Sequence, residues 1–382
     1  MSAAGAPLRI LHLHSSFHPG GKELRAVQLM NAFGPGLEHV VVSADPAQMG
    51  ATARLDRTVA VEFPSDFPSL KGRPSPPRLL KIARAMTGFD LVLTYNWGAM
   101  DAVMAHTLFS GYLGLPPLVH HEDGFNQDET QRLKPSRNWF RRIALNKTHA
   151  LVVPSQRLEQ VALKDWLVPR NKVLRIANGI RTLAYAKKSR RDALPRIIKQ
   201  PGELWVGTLA GLRPVKNLTR LVRAFAPLPE AWQLVIVGEG PERDAIRDEA
   251  IRLDIGHRVH LPGFAADPAT AIGLFDLFAL SSDSEQFPIS VVEAMAGGLA
   301  VAAPVVGDIA GMVAQPNRTY LSAPADEAGL SLALQTLAAS PDLRRSVGEA
   351  NRRRALELYD EGKMIAAYRQ VYGGAMGRDS LP

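Results

Sequence analysis

Short apolar runs recur along this chain, each followed by a turn and an amphipathic segment of helical period, and the scheme restarts past the midpoint. Runs that stay apolar on both faces belong to strands covered on both sides, the pattern of parallel α/β structure. In the first half they predict strands at Leu8–Leu13, Val40–Ser43, Val59–Phe63, Leu91–Tyr95, Leu118–Glu122, Leu151–Ser155 and Val173–Ala177. In the second half they predict Leu204–Thr208, Gln233–Val237, Val259–Leu261, Leu277–Ser281, Ala300–Ala303 and Thr319–Leu321. Helices are expected between them, with one long helical stretch from about Pro341 through Gly373. A chain of 382 residues also exceeds a comfortable single core. The expectation is two doubly wound α/β domains with a cleft between them, spanning 1–180 and 181–360. Residues 361–382 form a helix and tail that return to the first domain. The basic stretch Arg181–Gln200, interrupted by Pro195, reads as the connection and its flank.

Composition narrows the chemistry. The absence of cysteine removes disulfides, thiolate metal sites and a cysteine nucleophile. Met1 to Pro7 lacks a basic segment followed by an apolar run, so no signal peptide is expected. The apolar stretch Ile289–Val306 holds Glu293, a glycine pair and Pro304, which reads as helix, turn and strand instead of a membrane span. The expected location is the cytoplasm. A net charge of +8 favours anionic partners, or else reflects a generally basic surface. No nucleic-acid module is recognised, so that partner is not expected. The segment 132–147 is basic and amphipathic with Trp139 and Phe140, which suits an anionic membrane surface or a core-packed helix with a solvated basic face. On the first alternative the protein is peripheral on the inner face of the cytoplasmic membrane.

In doubly wound sheets, ligands sit beyond the carboxyl ends of the strands. The densest such stretch is Ser284 through Ala296, which carries Glu285 and Glu293 eight positions apart. Pro288 suits a helix start and Gly297-Gly298 a stop, so Glu285 precedes the helix and Glu293 lies on it. Free N–H groups at such a start suit a phosphate. The two carboxylates offer acceptors for sugar hydroxyls, the layout needed to hold a nucleotide-diphosphate sugar. Arg213 and Lys216 follow a glycine-flanked strand, where two fixed cations neutralise a diphosphate or simply form a solvated turn. Gly20 and Gly21 after the first strand, and Gly238 in Gly-Glu-Gly, mark turns where a backbone can approach a ligand. Phe264 at a strand exit either flanks a nucleobase or packs ordinarily. His120, His121, Glu122 and Asp123 crowd another strand end, and strand alternation sends the two histidines to opposite faces. A competing reading gathers His12, His14, His18, His120, His121, Glu122 and Asp123 into a hydrolytic metal centre. No Asp-x-Asp pair is present to hold a metal on a diphosphate.

Together these motifs resemble glycosyltransferase family 4, retaining enzymes of the GT-B fold, most strongly across Leu204–Val313. The resemblance is carried by Gly207-Thr-Leu-Ala-Gly-Leu-Arg-Pro-Val-Lys-Asn217, Val237-Gly-Glu-Gly-Pro-Glu-Arg243 and Glu285-x7-Glu293, with Gly298 to Gly307 continuing it. In the first half, Gly20-Gly-Lys-Glu23 and Asn178-Gly179 match more loosely. His120-x-Glu122-x-Gly124 looks like a motif of exopolysaccharide sugar transferases. The resemblance implies transfer of a sugar from a nucleotide-diphosphate donor to a saccharide or lipid-linked acceptor, in cell-envelope synthesis and without a metal. It implies that Arg213 and Lys216 bind the donor diphosphate, Glu285 the donor sugar and Glu293 the ribose, with Phe287, Pro288 and Ile289 presenting backbone to the sugar and phosphates. Gly21 closes over the phosphates, with Gly20, Gly238 and Phe264 at the donor. His120 lies near the reacting sugar, with His121 as its substitute, and Glu122 and Asp123 lie on the acceptor side. Arg181 and Gln286 depart from the family pattern, which commonly has an acidic residue and a glycine there. A nucleotide-sugar epimerase of the same fold is the alternative.

Overall fold

The computed structural model describes residues 7–124, 129 and 133–381. It divides into two compact units, Met1–Ala177 with Met364–Pro382, and Asn178–Lys363. Each is built on its own parallel sheet.

The first unit runs β1 (Leu8–His14), α1 (Gly21–Phe33), β2 (Leu37–Ser43), β3 (Ala60–Glu62), α2 (Pro76–Ala85), β4 (Leu91–Tyr95) and α3 (Met100–Leu113). It continues with β5 (Leu118–His121), α4 (Pro135–Ala144), β6 (Ala150–Val153), α5 (Gln156–Lys164) and β7 (Val173–Arg175). Its seven strands lie in the order β3-β2-β1-β4-β5-β6-β7. Chain order therefore reverses between β1 and β4. One face of the sheet buries Leu11, Leu13, Val92 and Leu118 with α2 and α3, and the other buries Ile10, Leu93 and Val119 with α1 and the C-terminal helix. Both faces are covered, which is why these strands read as unbroken apolar runs.

The second unit runs β8 (Leu204–Leu209), α6 (Leu218–Phe225), β9 (Trp232–Val237), α7 (Arg243–Arg252), β10 (Val259–Gly263), α8 (Pro268–Ile272) and β11 (Leu277–Ala279). There follow α9 (Ile289–Ala296), β12 (Val301–Pro304), α10 (Ile309–Met312), β13 (Leu321–Ser322), α11 (Glu327–Ala339) and α12 (Pro341–Leu358). The strand order is β10-β9-β8-β11-β12-β13, with the reversal between β8 and β11. The last helix, α13 (Glu361–Ala375), carries Met364, Tyr368 and Tyr372 into the core of the first unit.

Three features differ from the sequence reading. The stretch Arg181–Gln200 is no free connection. It belongs to the second unit, held by Lys199 Nζ on Asp276 Oδ2 at 2.6 Å and by Ser189 N donating to Gly273 O at 3.3 Å. The helical C-terminus is two helices. At the break, Asp360 pairs with Ile180 as an isolated bridge and its carboxylate accepts from Thr182 Oγ1 at 2.6 Å, so this backbone is taken out of the helix. The short helices α8 and α10 are too brief for a periodic pattern to reveal them.

A fully buried amide network ties α12 to the edge of β12. Asn351 Oδ1 accepts from Ala314 N at 3.0 Å, and its Nδ2 donates to Leu299 O at 2.9 Å and Asn317 Oδ1 at 2.7 Å. Asn317 in turn exchanges two bonds with the backbone of Val301, standing in for a neighbouring strand. Removing one member strands the others without water. Asn351→Ala is expected to lower stability by about 2–4 kcal/mol, seen as a lower urea midpoint for the second unit.

Candidate active site

In the second unit the strands part at the β8–β11 junction, where Phe278 pairs with Gly207. A parallel sheet that reverses direction opens a crevice beyond the carboxyl ends there. Two loops line it. The loop leaving β8 carries Gly211, Arg213 and Lys216, and the loop leaving β11 carries Ser281 to Pro288. They are stitched together by Asp283 N donating to Val215 O at 2.9 Å and Ser281 Oγ donating to Lys216 O at 3.0 Å. Lys216 Nζ then lies 2.5 Å from Glu285 Oε1, the same oxygen that accepts from Ser282 Oγ at 2.7 Å. Arg213 is exposed, and its side chain folds back beside Gly211. Asn217, left-handed at φ 45°, caps α6 by accepting from Arg220 N. Arg220 reaches Asp283 Oδ1 at 2.6 Å, which steadies the loop behind the cation.

Two glycines hold these loops at their spacing. Gly238, at φ 151°, leaves β9 so close to the β8 loop that a Cβ would fall 1.9 Å from Ala210 O. Its place is thus explained by loop-on-loop approach. Gly307, at φ 58°, presses on the carbonyl of Glu285, where a Cβ would come within 2.4 Å. The sequence names Gly307 only as the end of the stretch from Gly298, and a lone glycine past a strand does not reveal this approach to Glu285. Sequence reasoning passed over Ser282, since a serine in a loop is unremarkable until its carboxylate partner is known.

Pro288, buried at φ −69°, caps α9, and half-buried Ile289 is that helix's first residue. Phe287 sets its ring edge-on against Tyr359 at 5.6 Å. Phe264, just past β10, is 68% exposed. Glu293 sits one turn into α9, only 9% exposed, with Tyr185 donating its hydroxyl to Oε1 at 2.9 Å. Burial pushes this carboxyl up to about 7, and the phenol's hydrogen bond holds it back from going further. Tyr185 was also missed. It lies in the basic stretch that read as a connection.

In the first unit, alternation along β5 splits the histidines. His121 uses both ring nitrogens, one with Thr94 O at 3.1 Å and the other with Tyr372 Oη at 2.8 Å. His120 shares a hydrogen bond with Thr94 Oγ1 at 2.8 Å, and among the described residues its buried Nε2 has no hydrogen-bond partner, 3.7 Å from Glu122 Oε2. Of the two histidines, His120 is thus the one that keeps a nitrogen available among the described residues. Glu122 is fully buried beside the guanidinium of Arg141, with Oε2 3.3 Å from Nε, and its buried Oε1 has no hydrogen-bond partner among the described residues. Asp123 is likewise engaged, as a forked ion pair with Arg25. Gly20 precedes α1 and Gly21 opens it, above the buried carboxylate of Glu23, which pairs with Lys22.

The metal reading does not survive. Among the described residues no three His, Asp or Glu side chains come together as a ligand set. His12 spends its nitrogens on Tyr95 Oη at 3.1 Å and His39 Nδ1 at 3.0 Å, and burial lowers its basicity along with that of His14 and His121. His18 stands exposed and apart at the α1 approach.

The raised carboxyl of Glu293 links stability to pH. The folded chain holds this proton more tightly than an unfolded one, so stability falls as pH rises from the ordinary carboxylate range through about 7, and the penalty is complete above it. Glu293→Gln keeps an acceptor for Tyr185 and removes the titration. Near pH 8 it should be more stable than the parent by about 3 kcal/mol or less, and near pH 4 about equal. Thermal unfolding at the two pH values checks this.

Comparison with known proteins accords with this geometry. Residues 166–354 match the model for glycosyl transferases group 1, and residues 10–182 match that for glycosyltransferase family 4. The chain is 26% identical over 230 residues to N-acetyl-alpha-D-glucosaminyl L-malate synthase of Bacillus anthracis, covering 60% of this chain and 56% of that protein. It thus spans little more than half the length of that relative. It is 28% identical over 308 residues to a GDP-mannose-dependent alpha-mannosyltransferase of Mycobacterium tuberculosis, 76% of each. The crystal structure of Anabaena HepE in complex with UDP superimposes with a TM-score of 0.79 at 21% identity, covering 96% of this chain and all of that one. The two parallel-sheet domains and the two matched models make this chain a member of glycosyltransferase family 4, with the GT-B fold.

Proposed function

We propose that the protein is a retaining transferase. It moves a sugar from a nucleotide-diphosphate donor to the hydroxyl of a saccharide or lipid-linked acceptor in cell-envelope polysaccharide or glycolipid synthesis. The observation that carries this is the meeting of Lys216, Glu285 and Ser282 at the β8–β11 reversal, with Arg213 exposed beside them. Negative charge develops on the departing diphosphate, and fixed cations and helix N–H groups there lower the barrier. Arg213 and Lys216 serve the diphosphate, as do the N–H groups that open α9. Glu285 takes the donor sugar's hydroxyls, and Glu293 takes the ribose. The bond from the anomeric carbon to phosphate breaks as the bond to the acceptor oxygen forms on the same face. The acceptor's proton passes to the leaving phosphate. His120, through its remaining nitrogen, serves the reacting sugar. The two cations take the part a metal would play, so chelator should leave the rate unchanged.

A thermal-shift screen against nucleotide-diphosphate sugars tests the reading, since a ligand that binds only the folded chain raises its melting point. At least one should do so. Arg213→Ala or Lys216→Ala should lower turnover by about a hundredfold or more, on the order of 3 kcal/mol in the transition state. Near-normal turnover in either would remove that residue from the role. Following donor consumption with and without acceptor separates transfer from epimerisation, which needs no acceptor.

We further propose a peripheral membrane contact through α4. Trp139 is 66% exposed there, Lys134, Arg142 and Lys147 are exposed around it, and Leu108 and Tyr112 stand out from neighbouring α3. Arg141 takes no part, being buried between Trp97 and Trp166, and Arg132 lies outside the described residues. No helix among the described residues is long and apolar enough to cross a membrane. Exposed aromatic and basic groups suit an anionic headgroup layer. Flotation with acidic liposomes at low salt should carry the protein up, and Trp139→Ala with Arg142→Glu should leave it at the bottom.

A further inference from the structure

We propose that Tyr185 is a positioning residue for the donor's pentose: its hydroxyl engages Glu293 Oε1 and so turns the carboxylate to present Oε2 to a ribose hydroxyl. This rests on the reading of Glu293 as the ribose acceptor. Among the described residues Tyr185 is the sole hydrogen-bond partner of the Glu293 carboxylate, at 2.9 Å. Both side chains are almost wholly enclosed, at 8% and 9% exposure. A buried hydroxyl costs free energy unless it is bonded, and a phenylalanine would fill the same space without that cost. The ring alone therefore does not account for tyrosine here.

The phenol is held on a braced support. It lies on the 3-10 turn Thr182–Ala186, fixed ahead by Ile180 bridging Asp360 and by Thr182 Oγ1 on Asp360 Oδ2 at 2.6 Å. Beyond it, Ser189 N donates to Gly273 O at 3.3 Å. Burial and the neighbouring carboxylate keep the phenol protonated, so toward Glu293 it acts as a donor. The charged groups that bear on the pair are Asp267 at the start of α8, which disfavours ionisation of Glu293, and Arg181 ahead of the turn. On α12 the charged side chain against the exit of α9 is Arg352, beside Gly298. The phenol's hydrogen bond opposes burial and Asp267, favouring the charged form of Glu293. Without it, the carboxylate both loses its orientation and ionises at higher pH.

The test uses the full chain, with UDP and GDP and their 2′,3′-dideoxy counterparts as probes, titrated by calorimetry between about pH 7 and pH 9. Tyr185→Phe and Glu293→Gln are compared with the parent at each pH, so that the titration of the phosphates cancels. Tyr185→Phe should weaken the better-bound ribonucleotide roughly 5–10-fold near pH 7, with the deficit shrinking toward pH 9. Against the dideoxy nucleotide the same variant should match the parent. In turnover assays the loss should fall on the donor KM, with kcat nearly unchanged. Glu293→Gln should weaken the ribonucleotide, and adding Tyr185→Phe to it should weaken binding no further. An equal loss for ribo- and dideoxynucleotide at every pH would make Tyr185 merely structural and overturn the proposal, as would unchanged ribonucleotide affinity in Tyr185→Phe. If Glu293→Gln keeps full affinity, or the parent binds neither nucleotide, the donor-site reading itself falls, and the inference with it.

Discussion

The ion pair between Lys216 and Glu285 ties together the two strand-exit loops of the second unit. Those residues are 69 positions apart in sequence, and they meet because β8 and β11 are neighbours in the sheet though three strands apart in chain order. Neighbouring strands that send their helices to different sides leave their exit loops facing each other. One loop brings a cation, the other a carboxylate, and Ser282 shares the same carboxylate oxygen. A site of this kind holds its polar groups in place before any ligand arrives, which is what charge stabilisation at a leaving group requires. The surrounding contacts follow from the same constraint. Arg220 on Asp283 and Gly307 on the carbonyl of Glu285 both serve to keep the β11 loop from drifting.

Most of the strands and long helices were legible in the sequence because burial on both faces leaves few alternatives. Leu91–Tyr95 occupies the residues that its pattern predicts, and α6 falls between two predicted strands. The errors have local physical causes. β2 begins at Leu37, not Val40, since Glu38 and His39 interrupt the apolar run while the backbone goes on pairing with β1. The C-terminal helix breaks at Tyr359 and Asp360 because a distant segment, Ile180 and Thr182, claims Asp360. No periodicity in residues 341–373 records that claim.

At the candidate site the legible part was the set of residue types at strand exits: Arg213, Lys216, Glu285 and Glu293. Their partners were not legible. Tyr185 lies 108 positions from Glu293, and Arg141 lies 19 from Glu122 on a helix whose basic residues read as a solvated face. Glu122 shows the limit of reading a strand end by its polar content. The strand sends His120 and Glu122 to the α4 side, and there a buried guanidinium neutralises the carboxylate. Polar crowding in sequence therefore marked a buried ion pair as much as a site.

The two glutamates of the Glu285-x7-Glu293 motif are chemically unlike in this fold. Glu285 stands in the loop, facing an ammonium and a hydroxyl. Glu293, on the helix behind it, is enclosed and accepts from a neutral phenol, and burial pushes its carboxyl up to about 7. The same residue type thus stands in a cation's reach at one end of the motif and in an enclosed, titrating setting at the other. A neutral or half-charged acceptor holds a hydroxyl less tightly than a full carboxylate does. On the proposed donor reading the cation draws the diphosphate in, and the buried acid orients the pentose with less repulsion against it.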